Sequence, residues 1–168
     1  MSNPMKEIRI EKVTLNMSTG APGPELEKAQ KLLETISGRH VVKTKSRKRN
    51  TFGVAKGRDI GVMTTLRGRE ARELLEKLIK ANEGRLKKSQ FDSNGNFSFG
   101  IEEYINIPGV NYDPDIGIMG FDVAVTLERR GYRVRKRSYD NRPVGKEHII
   151  KPEEAIEWVK KEFGAEVS

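Results

Sequence analysis

Residues 6–17, KEIRIEKVTLNM, decide how the rest of the chain is read. Ile8 and Ile10 alternate with charged residues, and Val13, Leu15 and Met17 then repeat every two residues in shifted phase. Period two marks a strand with one apolar face, and the slip in phase predicts a bulge near Glu11 and Lys12. Residues 18–24 follow with two glycines, two prolines and two hydroxyl side chains, a turn composition that opposes a regular ladder or helix interior. Beyond it the period changes. Leu26, Ala29, Leu32, Leu33 and Ile36 fall at helical spacing, and Gly38 supplies a stop, so a helix is expected from Pro24 to Ser37.

The same reading extends to the C-terminal end. Short strands are expected at His40–Lys45, from Phe52 and Val54, and at Ile60–Leu66. Ala55–Asp59 reads as a turn, and a second amphipathic helix spans Gly68–Glu83, with Gly84 to stop it. Asn94-Gly95 predicts a tight turn before the strand Phe97–Ile101. Gly109–Gly120, with Asp113-Pro114-Asp115, reads as a shaped surface loop ahead of the strand Phe121–Leu127. Arg129–Arg137 alternates Tyr132 and Val134 with arginines, as a strand presenting charge on one face would. Ser138–Lys151 reads as loop, and a last helix starts at Pro152 and ends before Gly164. The expected architecture is α+β, a single domain over 1–168 with a mainly antiparallel sheet and helices packed on one side, the segment 138–168 being peripheral.

The chain has 168 residues, 32 of them Lys or Arg against 24 Asp or Glu, for a net charge of +8. Placement matters more than the total. Residues 35–58 contain no acid but carry Arg39, Lys43, Lys45, Arg47, Lys48, Arg49, Lys56 and Arg58; residues 129–139 add six more cations without an acid. These two stretches hold 14 of the 32 basic residues, so the remainder carries 18 against 24 acidic ones. Acid-free stretches of this kind suit a phosphate backbone, where neutralisation releases counterions and makes binding salt-dependent. Lys and Arg would meet phosphate oxygens, with Asn16, Ser18, Thr19 and Asn50 as hydrogen-bond donors.

Catalytic patterns are lacking. There is no cysteine, hence no thiol nucleophile or thiolate metal site from this chain. His40 and His148 lack the spacing of a helical zinc pair and read as packing or surface residues. Glu102-Glu103 and Asp113/Asp115 are the only clustered carboxylates near a loop; adjacent glutamates on a strand face opposite ways, and Asp-Pro-Asp is an ordinary turn, so a magnesium-dependent nuclease is a poor fit. No phosphate loop or dinucleotide turn occurs, and no cofactor is implied. Trp158 reads as partly buried packing. The longest apolar run is three residues, Val123–Val125, and the opening residues lack a signal-peptide core, so a soluble, intracellular protein is expected, with no membrane partner.

Several segments together resemble the universal L-five family of large-subunit ribosomal proteins in its archaeal and eukaryotic-like form: IEKVTLNM at 10–17, TFG at 51–53, Ile60-Gly61 with TLRG at 65–68, GNFSFGI at 95–101, YDPDIGIMGFD at 112–122 and KPEEA at 151–155. The match covers nearly the whole chain. The resemblance implies a cytoplasmic, non-enzymatic constituent of the ribosome that binds 5S ribosomal RNA and helps anchor it in the central protuberance, beside large-subunit RNA and neighbouring proteins. By resemblance Asn16, Ser18, Thr19, Arg39, Lys43 and Lys45 face ribosomal RNA, and Arg47, Lys48, Arg49 and Asn50 reach peptidyl-site transfer RNA. Tyr104, Asn111, Asp113 and Asp115 are the expected bridge to a small-subunit head protein. The chain departs from the bacterial pattern after Gly84 and after Leu127, so contacts there do not transfer. Arg133, Arg135 and Arg137 stand as a separate expectation, contacts to RNA or assembly proteins, drawn from their acid-free cluster. A general DNA-binding or chromatin protein is the alternative that charge alone would allow.

Overall fold

A computed structural model describes residues 3–49 and 53–168. In chain order it contains β1 (Ile8–Ser18), α1 (Pro24–Ser37), β2 (Val42–Lys45), β3 (Asp59–Leu66), α2 (Gly68–Ala81), β4 (Arg85–Leu86), β5 (Phe97–Ile101), β6 (Phe121–Arg129), α3 (Arg133–Lys136), α4 (Pro152–Phe163) and β7 (Glu166–Val167). Five strands form one sheet in the order β2-β3-β1-β6-β5, every neighbouring pair antiparallel. The phase slip read in β1 is a bulge: its register against β6 shifts between Ile10 and Lys12.

Pleating sends alternate residues to opposite sides of this sheet. Val13, Leu15 and Met17 of β1, Val62, Thr64 and Leu66 of β3, Val123, Val125 and Leu127 of β6, and Phe97, Phe99 and Ile101 of β5 are all buried on one side. α1 adds Leu26, Ala29, Leu32 and Leu33, and α2 adds Ala71, Leu74, Leu75 and Leu78. Truncating one of these fully buried leucines to alanine costs about 2–5 kcal/mol. The result is an α+β fold with helices against one face of an antiparallel sheet.

Local chemistry explains the helix boundaries. α1 begins at Pro24, whose missing N–H would have been unsatisfied there anyway, and stops at Gly38 in the left-handed region, with its N–H donating to Glu34 O. α4 begins at Pro152 and ends at Gly164 in the same way. α4 does not lie outside the core: Ile150, Ala155 and Val159 are 0% exposed and join the same buried cluster as the sheet, while the surface part of the C-terminal segment is 138–149.

Three expectations need correction. Val54 is outside any strand, and Phe52 lies outside the described residues. α2 ends at Ala81 rather than Glu83, because Glu83 itself takes a positive φ of 55°. Arg129–Arg137 is not a strand. β6 ends at Arg129, Gly131 reverses the chain with φ 97°, and Arg133–Lys136 close a single helical turn through Arg137 N to Arg133 O. Both long edges of β6 are already taken by β1 and β5, so alternation in this stretch has no ladder to join. The parallel pair β4–β7, which joins Leu86 to Val167, is two residues long and too short to show a period.

Gly95, within the GNFSFGI stretch, has φ 76°, and a Cβ there would sit 2.6 Å from Ile150 Cγ2. Gly20 has the same backbone strain, φ 75°, with nothing within 4 Å. Gly95→Ala is therefore expected to lose about 2–3 kcal/mol in urea unfolding and Gly20→Ala about 1 kcal/mol. Equal losses would remove the close approach to Ile150 as the reason for glycine.

Candidate nucleic-acid interface

Among the described residues, the sheet face away from α1 and α2 is uncovered along its middle rows, and the extension after β6 folds against its Thr126 end. Register aligns Val42, Met63, Asn16, Asp122 and Gly100 in a row across all five strands, and Thr65, Thr14, Ala124 and Ser98 in the next. Five strands at the usual spacing make a platform about 19 Å wide. Its side chains are short or polar, with Val42 57% and Met63 37% exposed as the larger apolar exceptions. Small side chains let a ligand approach the backbone closely, and the hydroxyl and amide groups offer hydrogen bonds, with the Asp122 carboxylate as the one charge in these two rows.

Charge is distributed unevenly along this platform. The β2 edge carries Lys43 and Lys45, and the connection to β3 carries Arg47, Lys48, Arg49, Lys56 and Arg58, all exposed. Among the described residues none of these seven makes an ion pair. Asn50 lies outside the described residues. At the other edge the sequence 89–128, which spans β5 and most of β6, contains seven acidic residues and no Lys or Arg. Only the strand order places these two segments at opposite sides of one sheet.

The remaining expected site residues divide by what they touch. Asn16 lies on the open face in the row named above. Ser18 Oγ donates to Ile60 O at 3.3 Å, and Thr19 Oγ1 donates to Ala21 O at 3.0 Å, so both hydroxyl protons serve the turn and their oxygens are left as acceptors rather than donors. Arg39 is not an unopposed cation: its Nη2 lies 2.7 Å from Glu70 Oε2, although both groups are exposed. Acid-free in sequence did not mean acid-free in space.

The second basic stretch is neutralised more heavily. Lys136 Nζ lies 2.7 Å from Glu11 and 3.0 Å from Glu128, and Arg137 is paired with Asp140 at 2.9 Å. Partial burial alone would raise the Glu11 carboxyl, but hydrogen bonds from Lys136 and Arg67 outweigh it and hold the group below its ordinary range. Burial likewise disfavours charged Lys136, and its two carboxylate partners outweigh that and hold its ammonium above the usual value. Arg129 is buried at 5% exposure; it donates to Glu154 Oε2 at 3.0 Å and reaches His148 O at 3.4 Å, pinning α4 to the end of β6. Arg133 and Arg135 are exposed and make no ion pair among the described residues.

In the loop between β5 and β6, Tyr104 is 1% exposed and its hydroxyl accepts from Asp113 N at 3.0 Å. It shapes the loop from beneath and offers no surface. Asn111, Asp113 and Asp115 are exposed on top, beside Tyr112 at 52% and Ile118 at 65%. Those two apolar side chains were missed in the sequence, where turn composition masks them.

Among the described residues no group of three or more His, Cys, Asp or Glu side chains could hold a metal, and no helix is long and apolar enough to cross a membrane. His148 Nε2 lies 2.8 Å from Arg130 O, a structural contact. An uncovered polar sheet face, bordered by exposed cations that have no ion-pair partner among the described residues, is the geometry of a surface that binds a polyanion. Comparison with known proteins narrows the class. Residues 3–54 match ribosomal protein L5, and residues 59–158 match the C-terminus of the ribosomal L5 family. The large ribosomal subunit protein uL5 of Nanoarchaeum equitans is 46% identical over 169 residues, covering 99% of both chains. The uL5 proteins of Nitrosopumilus maritimus and Sulfurisphaera tokodaii are also 46% identical, over 99% and 98% of this chain and 96% and 94% of their own. The chain belongs to the ribosomal L5 family, and is by that membership an RNA-binding protein of translation.

Glu154 Oε2 accepts from Lys151 N at 3.0 Å as well as from Arg129, and the backbone hydrogen bond, followed by the Arg129 guanidinium, holds its carboxyl below the ordinary value of 4.5. A lowered acid contributes stability above its unfolded value and loses it as pH falls through the folded one. Because the carboxylate side is half-exposed, Glu154→Gln should cost only about 1–2 kcal/mol at neutral pH. The gap between variant and wild type in urea unfolding should narrow as pH drops below 4.5. A gap that stays constant from pH 7 to pH 3 would contradict this role.

Proposed function

We propose that this chain is a structural constituent of the large ribosomal subunit that binds 5S ribosomal RNA and helps anchor it in the central protuberance. The observation that carries the reading is the β2 edge: Lys43, Lys45 and the following Arg47–Arg49 are exposed and unpaired among the described residues, and they border an uncovered polar face that includes Asn16, Lys43 from the side of the sheet that carries Val62. Double-stranded RNA is recognised by shape, phosphates and 2′-hydroxyls, for which a rigid platform with a cationic border is suited. The names of its archaeal relatives place them in the large subunit. Arg47, Lys48 and Arg49 are exposed in the connection between β2 and β3 and suit a second polyanion, peptidyl-site transfer RNA. Asn50 belongs to the same proposal by sequence.

The loop between β5 and β6 supports a protein contact instead. Asp113 and Asp115, with exposed Asn111 and Tyr112 beside them, would repel phosphate and attract a basic protein surface, as a small-subunit head protein offers in the bridge reading. Tyr104 contributes to this only by fixing Asp113. Arg133 and Arg135 are retained as contacts to RNA or neighbouring proteins; Arg137 is weakened as one by its pairing with Asp140.

Retention of 5S RNA over duplex DNA of equal length at about 0.15 M salt supports this function, whereas equal retention favours a general nucleic-acid binder. Replacing Lys43, Lys45 and Arg47 together by glutamine should weaken 5S binding and lower the log-log salt slope by roughly 2–3. Replacing Asp113 and Asp115 by asparagine should leave that slope unchanged.

A further inference from the structure

The geometry points to a nucleotide site at the end of the open face: a cleft between β6 and the folded-back 138–149 loop takes one RNA nucleotide turned out of its stack. This rests on the RNA-binding reading above and adds to it a site distinct from the β2 edge. The cleft encloses about 620 Å³, within the roughly 300–1,000 Å³ typical of small-ligand pockets. Tyr132, Pro143, Val144, Thr126, Asn94 and Arg135 line it, beside the Glu11 carboxylate that Lys136 neutralises.

These groups match the three parts of a nucleotide. The ring of Tyr132 with Pro143 and Val144 offers apolar surface to a flat base. The Asn94 amide carries a donor and an acceptor that can meet a base edge, and its side chain makes no hydrogen bond among the described residues. Arg135 is an exposed cation with no carboxylate partner among the described residues, suited to the phosphate. Lys136, the next residue, also lines the cleft but is held by Glu11 and Glu128 and is not the phosphate ligand. A purely apolar ligand would leave the Asn94 and Arg135 groups unused, and inorganic phosphate would leave the walls unused.

The cleft is also preformed. Tyr132 Oη donates to His148 O at 3.0 Å and accepts from Ile150 N at 3.2 Å, and Arg142 N donates to Val134 O at 3.2 Å, so the extension is tied back by three hydrogen bonds independent of any ligand. Ordering costs on binding are correspondingly small. It is continuous with the platform, because Thr126 pairs in register with Lys12 on the face that carries Thr14 and Asn16. A strand of RNA lying on that face needs to turn out only one nucleotide at its end to reach the cleft. Exposed Arg130 and Arg133 flank the same reversal of the chain and draw the adjoining backbone toward it.

The test uses the full chain with methyl-labelled Val, Leu and Ile, titrated separately with the four nucleoside 5′-monophosphates and with inorganic phosphate, and read by chemical shift. At least one nucleotide is expected to move the Val144 and Ile149 resonances while phosphate does not. Arg135→Glu, at an exposed position, should weaken that nucleotide about tenfold, and Val144→Trp should fill the cleft and abolish the response. If no nucleotide shifts these methyls, or phosphate shifts them equally, the site is overturned. Arg135→Glu replaces an exposed side chain and disturbs nothing buried, so it keeps the test decisive if Val144→Trp does not fold. Failure of the nucleotide titration with 5S binding intact removes this site alone, while failure of 5S binding with the titration intact removes the functional reading alone.

Discussion

Val13, Leu15 and Met17 of β1 are held between β3 and β6 with their side chains among the helices, and strand geometry then obliges Thr14, Asn16 and Ser18 to face the other way. Fully burying each of the three apolar side chains is worth about 1.5–3 kcal/mol, so the register of the central strand is strongly specified. A one-residue slip would bury Asn16 and expose Leu15. The bulge at Ile10–Lys12 brings Ile8 and Ile10, opposite in sequence phase, back to the core side, where they pair in register with Arg129 and Leu127 and pack against the core. The uncovered platform is thus a by-product of the same constraint that builds the core: helices satisfy one face, and the other is left for a partner.

The electrostatics follow from where the strands stand in the sheet. A net charge of +8 spread evenly would attract a polyanion without orienting it. Here the cationic segment forms one edge, and the segment without Lys or Arg forms the other. Such a molecule has a preferred way round beside RNA and keeps an acidic, partly apolar loop turned toward something else. Buried charge is used differently. Arg129 is taken into the structure with the Glu154 carboxylate and the His148 carbonyl around it, and its work is to fix α4 against β6.

The segment after β6 joins these two themes. Its arginines and lysines look alike in sequence, but the fold distributes them between jobs: Arg129 anchors a helix, Lys136 bridges two carboxylates, Arg137 closes a local loop with Asp140, and Arg133 and Arg135 stay exposed. The hydrogen bonds of Tyr132 to both sides of Ile149 hold this extension as a wall rather than a tail. A cleft formed in this way has both apolar surface and, in Arg135, an exposed cation with no ion-pair partner among the described residues.

Elements with a sustained period were legible from the residues: the slip in β1, α1 from Pro24 to Gly38, the GNFSFGI strand and α4 from Pro152 to Gly164 all carry their cause within a few positions. Family membership was legible for the same reason, since it resides in contiguous segments. What the sequence could not show was which charges meet. Glu70 is 31 residues from Arg39, and Glu11 is 125 from Lys136, yet each pair lies within hydrogen-bond distance, so an acid-free stretch predicts local composition and not local field. The helical turn at Arg133–Lys136 was hidden because Tyr132 and Val134 fit two periods equally well over so short a span. The burial of Tyr104 depends on a loop closing over it. The chain determined by itself its elements, its lopsided charge and its kinship; only the tertiary structure decided which cations remain unopposed and which sheet face stays uncovered, because both are set by contacts between residues far apart along the chain.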